Sequence, residues 1–139
     1  MAWLKDPEGP GHPKMGITYR ILRKFNRSLM STWFRELDIV DNENMPHDGG
    51  IMFVAWHPSG LIDPVLLHAS LPGKLSILAK HTLFDMPILG RLFSAAGALP
   101  IYRAGDSDDA EKAKRNNAIM LENVGNEISN GGRLLLFPE

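Results

Sequence analysis

Ile51-Met-Phe-Val-Ala-Trp-His57-Pro-Ser-Gly-Leu-Ile-Asp63-Pro64 is the stretch from which the fold is read. Ile51 to Trp56 is a short, continuous apolar run of the kind that forms a buried strand. It stops at His57-Pro-Ser-Gly, a turn composition. Asp63-Pro64 then reads as a helix start, with Asp63 as N-cap and Pro64 at the first helical position. A buried strand, a polar turn and a helix make the opening half of a βαβ unit.

The same alternation continues toward the C-terminus. The helix from Asp63 stops before Pro72-Gly73, and Lys74-Leu-Ser-Ile-Leu-Ala-Lys80 reads as the next strand. A helix is expected across Pro87–Ala96, and a short strand over Ala98-Leu-Pro-Ile-Tyr102. A polar helix runs from Asp108 to about Ser129, where Asn130-Gly-Gly closes it. Arg133-Leu-Leu-Leu-Phe-Pro-Glu139 is again an apolar strand. Strands alternating with helices predict an α/β domain with a mixed, largely parallel sheet flanked by helices.

Toward the N-terminus, residues 1–15 are a polar, Pro- and Gly-rich lead-in, expected to be flexible. Residues 16–139 are expected to form one domain, opening on an amphipathic helix over about 16–34. Ile21, Leu22, Phe25, Leu29 and Trp33 share one helical face, and Arg20, Arg23, Lys24 and Arg27 the other. No acidic residue occurs between Lys14 and Arg35. Such a helix suits a membrane interface, or packs on its own domain with its basic face to water. A short strand, Leu37-Asp-Ile-Val40, and the turn-rich run Asp41–Gly50 complete the approach to Ile51.

Composition removes several classes of function. With 139 residues, 44% hydrophobic and 22% charged, the chain can bury a core and is not of disordered type. A net charge of -1 argues against binding nucleic acid through general phosphate neutralisation. There are no cysteines, hence no disulfide, thiolate nucleophile or Cys-based zinc site. No run reaches the roughly 18 apolar residues of a membrane span, so membrane association within this segment is expected to be peripheral. The first thirteen residues lack the apolar core of a secretory signal.

In a parallel α/β sheet, polar residues at the carboxyl ends of strands gather in one crevice. Three strands here finish that way, at His57, at Tyr102-Arg103 and at Glu139. An imidazole, a fixed cation and a carboxylate on one edge suit a base acting on a hydroxyl whose neighbour is anionic. His57 can accept a proton at neutral pH, and Asp63, across a Pro-Ser-Gly turn, can orient the ring and stabilise the imidazolium. The plainer alternatives are a strand-end histidine bonded to backbone and a helix N-cap. Ser59 lacks the Gly-x-Ser-x-Gly elbow of a nucleophile. His12, His47, His68 and His81 show no metal-ligand spacing, so no metal is expected. Asp106, Asp108, Asp109 and Glu111 read as a solvated helix start.

Ala55-Trp-His-Pro-Ser-Gly-Leu-Ile-Asp-Pro64 resembles the first motif of the glycerophospholipid acyltransferase superfamily, whose members include the enzymes that make phosphatidic acid. Ala79-Lys-His-Thr-Leu-Phe-Asp-Met-Pro-Ile-Leu-Gly90 is similar to the segment between that family's first two motifs. Gly97-Ala-Leu-Pro-Ile-Tyr-Arg103 resembles the second, and Leu136-Phe-Pro-Glu139 the opening of the third. Five residues separate His57 from Asp63, where the commonest family motif has four; the longer spacing resembles a subgroup that includes fungal glycerol-3-phosphate acyltransferases. A glycine in the turn can absorb the extra residue.

The resemblance implies that His57 and Asp63 are catalytic: His57 deprotonates a glycerol hydroxyl, which attacks the thioester of an acyl-CoA or acyl carrier protein. It implies that Arg103 binds the acceptor phosphate and Glu139 the glycerol moiety, with Lys80 a further phosphate contact or a solvated strand-end lysine. No cofactor beyond the acyl-thioester co-substrate is implied. The expected partners are a glycerol-phosphate acceptor, either glycerol 3-phosphate or lysophosphatidate, and a membrane lipid surface on the cytoplasmic side. A non-catalytic lipid-binding protein of the same fold is the alternative, and it has no need of a base. The family continues past Pro-Glu with Gly and a hydroxyl residue, and carries a later Pro-containing motif. On that ground the domain is expected to lack its C-terminal part, and this chain alone to be inactive.

Overall fold

One sheet organises the chain in the computed structural model, which describes residues 3–7, 12–102 and 109–138. Its strands are β1 (Ile51–Val54), β2 (Leu75–Lys80), β3 (Ala98–Ile101) and β4 (Arg133–Leu136), in the spatial order β1-β4-β2-β3. Every pairing is parallel: Met52 lies opposite Leu134, Ser76 opposite Leu134, and Leu78 opposite Leu99. The sheet is thus wholly parallel among the described residues. The central strands are apolar on both faces for the reason their sequences suggested, since Leu75, Ile77, Leu134 and Leu135 are all buried.

Helices α2 (Ile62–Ser70), α3 (Leu89–Ala95) and α4 (Ala110–Ser129) connect the strands. The steps β1 to β2 and β2 to β3 advance in one direction, whereas β3 to β4 steps back. Crossovers of one hand therefore put α2 and α3 on one face and α4 on the other. The two cores match that division. Leu75, Ile77, Ala98 and Leu135 pack with Leu67, Leu71 and Phe93, while Leu134 packs with Met120 and Val124 of α4. Because the strands are parallel, all four carboxyl ends lie on one edge.

Two expectations are corrected. Leu37–Val40 forms no ladder: Val40 is exposed and already in a turn, and Asp41 follows with φ 57°. The N-terminal helix, α1 (Ile17–Trp33), packs on α2 through a stripe that includes Arg23 and, in part, Arg27 of the face expected to meet water, while Arg20 and Lys24 stay exposed. Tyr19, Arg23, Asn26 and Met30 are buried. Arg23 donates to Asp6 Oδ1 at 2.7 Å, to the carbonyl of Gly73 at 3.1 Å and to that of Leu71. Arg27 donates from Nε to the carbonyl of Ala69 at 2.9 Å, and its guanidinium lies over the Trp3 ring. The last turn of α2 leaves carbonyls with no partner inside the helix, and these two arginines supply the donors. The apolar stripe consequently faces outward: Ile17, Ile21, Phe25 and Trp33 are each at least 62% exposed.

Candidate active site

His57 stands just beyond β1, on the edge where the strands end. The turn after it is tight because Gly60 takes φ 56°, a left-handed conformation that costs glycine little. That geometry accommodates the fifth residue between His57 and Asp63. The helix begins before Asp63, with Leu61 rather than Asp63 as its N-cap. Asp63 sits in the first turn and its carboxylate folds back: Oδ2 accepts the Ser59 N–H at 2.8 Å and lies 3.3 Å from His57 Nδ1. A single oxygen thus fastens both the turn and the ring. An ionised carboxylate only accepts, so Nδ1 carries the proton and Nε2 keeps a lone pair. The His57 ring also packs on Phe137, which follows β4, with centroids 4.6 Å apart.

His57 borders a cavity of about 690 Å³ between the sheet and its α2 face. Leu61, Val65, Ile77, Phe93, Ala98 and Phe137 give it a mainly apolar wall. Its polar side chains among the described residues are His57, Lys80, Asn26 and His68.

His68 is almost fully buried, at 1% exposure, with its ring 4.8 Å from that of Tyr19. Burial first, and then the charges of Arg23 and Arg27, push its pKa from 6.5 down to about 4. Between those values the unfolded chain binds a proton that the folded chain refuses. His68 therefore favours the fold in full above pH 6.5, and this advantage, about 3 kcal/mol, is lost as pH falls toward 4. Urea midpoints at pH 7 and pH 4.5 should fall further apart in the wild type than in His68→Phe. Equal pH dependence in the two proteins would show that His68 is not the titrating group.

Of the residues expected to form the site, His57 and Asp63 meet directly, and Lys80 lines the same cavity from the end of β2. Arg103 and Glu139 lie outside the described residues. The end of β3 that leads to Arg103 is pinned, because Asn117 accepts the Tyr102 N–H at 2.9 Å and donates to its carbonyl at 2.6 Å. The Tyr102 ring stacks on His81 at 4.5 Å. Asn26, His68 and Phe137 were missed as site residues. For His68 a signal existed: Leu61, Pro64, Val65 and His68 recur at helical spacing, and all four line the cavity.

An acyltransferase family model matches residues 36–139 of the chain. Over 137 residues it is 27% identical to a chloroplastic 1-acyl-sn-glycerol-3-phosphate acyltransferase of Brassica napus, covering 93% of this chain and 37% of that protein. A chloroplastic 1-acyl-sn-glycerol-3-phosphate acyltransferase of Arabidopsis thaliana is 26% identical over 137 residues, covering 93% and 36%. An uncharacterized protein of Mycobacterium tuberculosis is 33% identical over 84 residues, 55% of this chain and 23% of that one. The chain therefore spans little more than a third of the curated plant relatives it matches. No solved structure matches it significantly.

Proposed function

The chain belongs to the acyltransferase family, and from that premise we propose that it serves to move a fatty acyl group from a thioester to a hydroxyl of a glycerol phosphate, with His57 as general base. The observation that carries this reading is His57 on the border of an apolar cavity with Asp63 held against its Nδ1. Nε2 of His57 takes the proton of the acceptor hydroxyl as its oxygen attacks the thioester carbonyl. The C–S bond breaks, and the departing sulfur receives the proton back from the imidazolium. Asp63 stabilises that imidazolium through Nδ1. The donor is an acyl-CoA or acyl carrier protein, whose hydrocarbon suits the cavity wall. The plant relatives, by their names, favour lysophosphatidate over glycerol 3-phosphate as acceptor. Arg103 is proposed to hold the acceptor phosphate, where a planar guanidinium is well suited, Glu139 to bind the glycerol, and Lys80 to add a phosphate contact.

The outward stripe of α1 supports peripheral binding to a lipid surface. No helix among the described residues is long and apolar enough to cross a membrane. Ile17, Ile21, Phe25, Leu29 and Trp33 are exposed, and so are the basic Arg20 and Lys24. An apolar face flanked by cations matches the anionic surface of a bilayer.

Acyl transfer is tested with the protein as the cell makes it, offering acyl-CoA or acyl carrier protein with each acceptor. Transfer to lysophosphatidate above that to glycerol 3-phosphate is the expected result. No transfer to either acceptor from either donor would overturn the proposal in favour of a lipid-binding role.

A further inference from the structure

An amide interrupts the core-facing stripe of α4. Ala113, Met120 and Val124 are buried there, the last two against Leu134, and Asn117 falls on the same stripe at helical spacing. An apolar side chain at that position would extend the core. Asn117 instead directs both ends of its amide at one residue: Oδ1 accepts the Tyr102 N–H at 2.9 Å, and Nδ2 donates to the Tyr102 carbonyl at 2.6 Å. Sheet pairing stops one residue short of Tyr102. β3 is an edge strand, and its neighbour β2 pairs Lys80 with Ile101 before leaving as a 3₁₀ turn over His81–Leu83. Asn117 thus supplies the partners that a ladder would have supplied. From the β2 side, the His81 ring stacks on Tyr102 at 4.5 Å.

These contacts fix two chain ends that matter to the site. Lys80 and Ile101, paired with each other, both line the cavity, and Arg103 follows Tyr102 directly in sequence. We propose that Asn117 is a positioning residue for the acceptor: by clasping Tyr102 it fixes the strand ends from which Lys80 and Arg103 are offered to the acceptor phosphate. This rests on the reading of Lys80 and Arg103 as phosphate contacts. A cation on fixed backbone loses less freedom on binding an anion than one on a loose chain end. The gain falls on acceptor binding rather than on proton transfer, because His57 follows β1, at the opposite edge of the sheet from β3.

The test is steady-state kinetics on the protein as the cell makes it, with acceptor and acyl donor varied in turn. In Asn117→Ala, KM for the phosphate-bearing acceptor should rise about tenfold, while kcat and the donor KM stay within about twofold. Asn117→Leu extends the core stripe but cannot clasp Tyr102, and should show the same rise. A wild-type acceptor KM in Asn117→Leu would reduce the residue to packing and overturn the proposal, as would a joint change of kcat and both KM values in Asn117→Ala. Lys80→Ala/Arg103→Ala should raise the acceptor KM by itself, and Asn117→Ala added to it should raise it no further. A full tenfold rise on that background would also overturn the role of Asn117. If Lys80→Ala/Arg103→Ala leaves the acceptor KM unchanged, the reading of both as phosphate contacts falls and takes the role of Asn117 with it. If that variant raises KM and neither Asn117 variant does, the role of Asn117 alone falls.

Discussion

Replacing His57 with alanine should lower acyl-transfer turnover by about 10²–10⁴-fold, the usual cost of losing a positioned general base. The fold should survive the change. The His57 side chain is 20% exposed, stands beyond β1 rather than in it, and makes its polar contact with Asp63. Asp63→Asn is the sharper companion. Asparagine retains an oxygen for the Ser59 N–H, so the turn is kept, but the charge opposite the imidazolium is gone. With no counter-charge for the imidazolium, turnover should again fall by orders of magnitude. Both variants should melt near the wild type while losing activity. Near-wild-type turnover in His57→Ala would sink the mechanism, and gross unfolding of both would assign the pair a structural role instead.

The elements that depend on local pattern were legible. Buried parallel strands read as apolar runs, and Leu75–Lys80 and Arg133–Leu136 are of that kind, whereas Ile51–Val54, read as buried, is an edge strand in which Met52 and Val54 are more than half exposed. The turn at His57 was legible too, because Pro58, Ser59 and Gly60 have few other uses together. Leu37–Val40 was misread because a short β-branched, apolar segment suits a strand but says nothing of a partner ladder. The Asp63 cap was misread for a related reason. Asp-Pro fits a helix start, but the carboxylate is drawn back by two partners upstream in sequence, Ser59 N–H and His57. Helical spacing identified the apolar stripe of α1 but not the stripe that turns inward, Tyr19, Arg23, Asn26 and Met30, which takes in only part of the basic face. That choice is made by carbonyls of residues 69, 71 and 73, more than forty positions away, which no local window contains. His68 was hidden in the same way, since its partner Asn26 lies on another helix.

The packing of α1 predicts that stability and lipid binding separate onto its two faces. Arg23 is 3% exposed and donates to two backbone carbonyls, of Leu71 and Gly73, as well as to Asp6. Asp6 is about a third exposed, so water can take over its charge and the ion pair itself contributes little. The carbonyls have no such recourse. Arg23→Met keeps much of the side-chain stem and leaves both acceptors poorly satisfied, at about 1–3 kcal/mol for each buried group. A loss of about 3 kcal/mol is expected, read as a fall of about 10 °C in Tm for a chain of this size. Phe25→Ser/Trp33→Ser should do the opposite. These side chains are 62% and 69% exposed, so their removal should change stability by no more than about 0.5 kcal/mol. Co-sedimentation with vesicles containing anionic lipid should nevertheless drop at least tenfold, because each buried aromatic is worth about 1.5–3 kcal/mol in transfer. Arg20→Gln/Lys24→Gln should weaken the same binding by about 1 kcal/mol per charge and chiefly at low salt, where screening is least. The reverse pattern, a stable Arg23→Met and an unfolded Phe25→Ser/Trp33→Ser, would mean that α1 packs through its apolar stripe and presents its arginines to solvent.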